Sequence, residues 1–137
     1  MNDIERLLDS TIPLVEDLLR KYGEFFPVAS AVKTDGSIVQ VGTYDGDEKP
    51  LSDKLITDFK TAFKAKRDDY RSVTIFYDVS VVNPRSEQKV DAIAVFVETK
   101  YDNDAYTFYF SYSLTSDKEL EFSNSWKSPK EKEIFDE

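Results

Sequence analysis

The run Ala105-Tyr106-Thr107-Phe108-Tyr109-Phe110-Ser111-Tyr112-Ser113-Leu114-Thr115 sets the fold class of this chain. Its even positions, Tyr106, Phe108, Phe110, Tyr112 and Leu114, are apolar or aromatic, and they alternate with Thr107, Tyr109, Ser111 and Ser113. A period of two sends successive side chains to opposite faces of an extended backbone, so this is a strand with one buried and one wetter face. Residues 72–82 and 90–100 are similarly β-rich, and 119–123 form a weaker fourth run. The separators Asn83-Pro84-Arg85-Ser86, Tyr101-Asp102-Asn103-Asp104 and Ser116-Asp117-Lys118 consist of turn formers. Strands joined by such short turns make an antiparallel meander.

Towards the N-terminus the periodicity changes. Leu55, Ile56, Phe59, Ala62 and Phe63 form one helical stripe ending near Asp69, with Ser52 as N-cap and Leu51 stapled to Ile56. The apolar run Phe25 to Val32 and the shorter Ile38 to Val41 flank Asp35-Gly36, a hairpin signal. Before them, Ile4, Leu7, Leu8, Val15, Leu18, Leu19 and Tyr22 recur at helical spacing and Gly23 supplies a stop, so 3–22 reads as an amphipathic helix. Pro13 cannot donate to the carbonyl of Asp9 and either kinks this helix or splits it, a kink being preferred. The expected order is α-β-β-α-β-β-β-β. The class is α+β, a two-layer sandwich with a mainly antiparallel sheet of about six strands and both helices on one face. Residues 1–126 are expected to form one domain, and the charged stretch 127–137 a loosely ordered tail onto which Ile134-Phe135 could dock.

Composition bounds the chemistry. None of the 137 residues is histidine or cysteine. A Ser-His-Asp or Cys-His triad, a His or Cys zinc site and a redox CxxC are therefore excluded. Only 4 glycines are present, and neither GxGxxG nor GxxxxGK[ST] occurs, so a nucleotide cradle is not expected and no cofactor is called for. With 10 Phe and 8 Tyr there is ample side chain for one core. The formal charge of -9 disfavours nucleic acid and anionic membranes and favours a basic partner. The acidic N-terminus and the lack of a long apolar run point to a soluble, cytoplasmic protein.

Several residue groups invite a chemical reading. Asp45, Asp47 and Glu48 share a Gly-containing loop, but their spacing does not match a Ca2+ loop, and a solvated turn is the better reading. Asp78, Asp91 and Glu98 would need to face each other to act as a carboxylate pair, and nothing in the sequence fixes their separation. Lys60, Lys64, Lys66, Arg67 and Arg71 make the exit of the second helix basic, as the helix macrodipole prefers. Tyr109, opposite the apolar stripe, and Trp126 are candidate binding anchors, since aromatics with one polar handle are enriched at interfaces. Asp102 and Asp104 in the adjoining turn would complement a basic partner.

The stretch Leu18-Leu19-Arg20-Lys21-Tyr22-Gly23-Glu24-Phe25-Phe26-Pro27-Val28-Ala29, with Lys33-Thr34-Asp35-Gly36, resembles a pattern in small bacterial α+β proteins of uncharacterised function. Small acidic proteins with this helix-first layout are similar in type to immunity proteins of bacterial toxin systems. The likeness carries no functional residues across. It implies a non-enzymatic domain that binds another protein, such as a basic toxin, through an acidic and aromatic surface. The alternatives are a small-ligand binder or carboxylate enzyme with a pocket between sheet and helices, and a homodimer formed through an open sheet face or edge strand.

Overall fold

A computed structural model describes residues 2–41, 52–102 and 104–136. Helix α1 (Asp3–Tyr22) is followed by β1 (Val28–Lys33), β2 (Ile38–Val41), α2 (Ser52–Ala65), a 3-10 turn (Arg67–Asp69), β3 (Tyr70–Val82), β4 (Lys89–Thr99), β5 (Ala105–Leu114) and β6 (Leu120–Lys130). The α+β class and the element order are those expected. The Asp45 to Glu48 loop and Leu51 lie outside the described residues.

Local chemistry accounts for each helix. Asn2 caps α1 by accepting the Glu5 N–H at 2.8 Å, and Gly23 closes it in the left-handed region at φ 75°. Pro13 sits inside an unbroken helix. Its missing N–H leaves the Asp9 carbonyl without its usual partner four residues on, yet Leu7, Thr11, Val15 and Leu19 remain on one buried stripe. α2 stops at Ala65, and the 3-10 turn carries the chain on to Asp69.

All strands pair antiparallel in the order β2-β1-β3-β4-β5-β6. The two helices do not share a face. Ile75 packs with Phe59 and Phe63 of α2, whereas its neighbour Phe76 packs with Val15 and Leu19 of α1. Adjacent strand residues point in opposite directions, so the sheet lies between the helices and the molecule has three layers, not two. The reason is written in β4, where Ala92-Ile93-Ala94-Val95-Phe96-Val97 is buried throughout. A central strand covered on both sides needs apolar residues at every position.

Within the stretch expected to trail off, residues 127–130 belong to β6 and residues 133–135 are hydrogen-bonded to the sheet. β6 runs to Lys130, across the boundary placed after residue 126. Beyond it Ile134 is fully buried among α2 residues. Glu98 of β4, itself 1% exposed, accepts backbone N–H bonds from Glu133 at 2.7 Å and Ile134 at 2.9 Å, and a third from Phe135. One carboxylate thus satisfies three successive amides and straps residues 133–135 to the sheet.

The sheet also curls. Asn83, at the end of β3, and Asn124 of β6 exchange amide hydrogen bonds at 2.6 and 3.1 Å, with β4 and β5 between their strands. In a flat sheet those strands would stand about 14 Å apart.

Candidate functional groove

α1 spends its buried stripe on the middle of the sheet. Thr11 donates to Ser30 of β1 at 3.0 Å, and Ser30 shares a 2.7 Å hydrogen bond with Thr74 of β3. Val15 and Leu19 cover Phe76, Ile93 and Val95. β5 lies farther out, so its aromatic stripe is reached only in part. Tyr106, Phe108 and Phe110 are half-buried, and Phe122 beside them on β6 is 47% exposed.

A groove therefore runs between α1 and the β5–β6 edge. Its first section, about 380 Å³, is walled by Ile4 and Leu8 and floored by Tyr106 and Phe108, with Glu5, Asp102 and Asp104 among its lining. Its second, about 330 Å³, continues past Leu8 to Ile12, Pro13, Phe110 and Phe122, with Asp9 and Glu16 on the rim. Leu8 belongs to both sections. Lys127 of β6 holds its Nζ 4.6 Å from the centroid of the Tyr106 ring, so the floor already accepts a cation.

The four residues singled out as partner contacts fall in two places. Asp102 and Asp104 stand at the mouth of this groove. Tyr109 and Trp126 face each other across β5 and β6 with rings 5.3 Å apart and stacked, but on the α2 side of the sheet. Neither Tyr109 nor Trp126 lines the groove beside Asp102 and Asp104. The stripe read as core, Tyr106 to Phe110, supplies the accessible aromatic surface instead. Period-two alternation identified that stripe as one face and carried no information on how much of it a helix covers.

The remaining groups are already engaged. Asp78 and Asp91 share the α1 side of β3 and β4, and Glu98 lies on the other side, occupied by the strap. The Tyr112 hydroxyl donates to Asp78 at 2.7 Å. Burial raises the Asp78 carboxyl above its usual range, with repulsion from Asp91 and Glu24 adding to it, although the Tyr112 hydrogen bond opposes the shift. Burial, then the hydrogen bond to Asp78, raises the Tyr112 phenol, so it stays a donor at neutral pH. Lys60 pairs with Glu133, Lys64 and Arg67 pair with Asp136, and Arg71 with Asp3, which is held below the usual carboxylate range chiefly by that bond. No cluster of three His, Cys, Asp or Glu side chains suited to a metal occurs among the described residues.

No protein-family model, curated protein or solved structure matches this chain. The groove must therefore be read from its own chemistry. An apolar floor under a carboxylate rim fits a ligand that is both apolar and cationic. Among the described residues no helix is long and apolar enough to cross a membrane.

Proposed function

We propose that this protein is a non-enzymatic cytoplasmic binding domain that holds a cationic segment of another protein in the groove between α1 and β5–β6. Its most concrete form is an immunity protein that neutralises a basic toxin. The observation that carries the reading is the half-open aromatic stripe, with Tyr106 and Phe108 beneath Glu5, Asp102 and Asp104 and Phe110 beside Asp9 and Glu16. Aromatic anchors in a pocket supply affinity, and surrounding carboxylates accelerate encounter with a basic surface. The charge of -9 acts in the same direction.

The test is partner recovery from source cells with a Glu5→Lys, Asp102→Lys, Asp104→Lys variant, set beside reversal of Asp53 and Asp68 elsewhere on the molecule. The groove variant is expected to lose at least about 90% of the partner, a change of roughly 1.4 kcal/mol or more. The control should retain it. Equal retention by both variants would count decisively against the reading.

The size of the first section, about 380 Å³, favours a second reading as a small-ligand site. Native mass spectrometry separates the two. A bound small molecule without a protein partner would support the ligand site.

A further inference from the structure

We infer that the segment taken by this groove is a basic amphipathic helix of a partner protein, lying alongside α1; this rests on the protein-binding reading above. Three features of the groove choose the helix.

The first is its length and spacing. Glu5 and Glu16 mark its two ends on α1 and are about 16 Å apart along the helix axis at 1.5 Å per residue. The floor presents Tyr106, Phe108 and Phe110 at alternate strand positions, about 7 Å apart. Apolar residues at i, i+4 and i+8 of a docked helix are about 6 Å apart, so a helix of three turns meets all three rings in near register.

The second is the state of the neighbouring strand edge. β6 ends the sheet order, which would suit an added strand, but the edge is interrupted. The register shifts between Phe110 and Tyr112 on β5, where Ser111 touches both Ser123 and Asn124 of β6, and Pro129 has no N–H to offer. An added strand would find no continuous ladder here. A helix satisfies its own backbone and needs none.

The third is charge. Glu5, Asp9 and Glu16 line the α1 side, and Asp102 and Asp104 stand at one end. Arg20 approaches Glu16 at 3.5 Å as an exposed pair, which contributes little and yields readily to a competing cation. Set against the one lysine of the lining, Lys127, these five carboxylates keep the groove acidic, and with the apolar floor they match a helix with one apolar stripe flanked by lysine or arginine. A second copy of this acidic chain does not supply that charge.

The experiment titrates the full chain with a synthetic peptide of about 14 residues, roughly four helical turns. Leucine and phenylalanine occupy one stripe, and lysine flanks it. Two twins serve as controls, one with glutamate for lysine and one with a central proline. Fluorescence anisotropy reads affinity, and circular dichroism reads helix gained on binding. The lysine peptide should bind and become helical, with both twins at least about tenfold weaker. Phe122→Ala, at an exposed position that leaves folding intact, and the Glu5, Asp9, Glu16→Lys triple variant should each weaken it about tenfold, or ~1.4 kcal/mol. Equal or tighter binding of either twin overturns the inference. So does Phe122-dependent self-association without peptide binding. Loss of the native partner on charge reversal while no helical peptide binds refutes the helix and leaves the groove. A native partner indifferent to charge reversal refutes the groove, and the helix with it.

Discussion

Asp78 shows how a single side chain carries opposing forces. The Tyr112 hydroxyl favours its charged form, while burial and the nearby Asp91 and Glu24 disfavour it more strongly. Its folded-state pKa therefore lies above the unfolded value, and the protonated form is the one folding prefers. The associated stability is fully present below the unfolded pKa and is lost as pH rises through the folded one. Asp78→Asn keeps an oxygen to accept from Tyr112 and removes the charge. We expect a higher Tm at pH 7 and no gain near pH 3, measured by thermal melts across that range. An Asn variant less stable than wild type at pH 7 would show that the carboxylate is favourably placed. Asp3 has the opposite sign, since its bidentate bond to Arg71 at 2.8 and 2.9 Å stabilises the fold above the unfolded pKa and fades in acid.

Among the elements, the C-terminal strap departs furthest from its composition. Residues 127–137 are mostly charged, a composition that predicts a solvated tail, but β6 takes up 127–130 and Glu98 gathers amides of the residues that follow. Among the described residues no cation pairs with the buried Glu98 carboxylate, and three N–H donors compensate its burial instead. Glu98→Ala leaves those donors orphaned and is expected to lower stability by about 3 kcal/mol. It should also speed amide exchange at Glu133, Ile134 and Phe135 far more than in β3. Urea titration and hydrogen exchange measure the two effects. An unchanged exchange pattern would mean that Ile134 alone holds the strap. The edge strand β6 has its own protection, since Lys127, Lys130, Pro129 and the register shift all discourage pairing with another chain.

For the whole molecule, charge is unevenly placed. Lys60, Lys64 and Arg67 on the α2 side are paired with strap carboxylates, whereas the α1 side presents Glu5, Asp9, Asp102 and Asp104 along the groove. Association with a basic partner is expected to slow about tenfold or more between roughly 50 and 500 mM salt, with dissociation changing far less. Stopped-flow binding tests this, and a salt-independent rate would separate encounter from the acidic rim. Element type and order could be read from the chain because period two in 105–115 and the helical recurrence in 3–22 are local properties of neighbouring residues. So could the exclusion of imidazole and thiolate chemistry, which needs only a count. The continuous apolar run Ala92 to Val97 carries the signal for a sheet covered on both faces, whereas the period-two pattern of β5 reports one buried face only. The placement of Asp102 and Asp104 beside Tyr106, the separation of Tyr109 and Trp126 from them, and the clamp at Glu98 depended on distant contacts. Those follow from where α1 comes to rest on the sheet and how far the strands curl, which are settled by packing summed over the whole core and not by any local pattern.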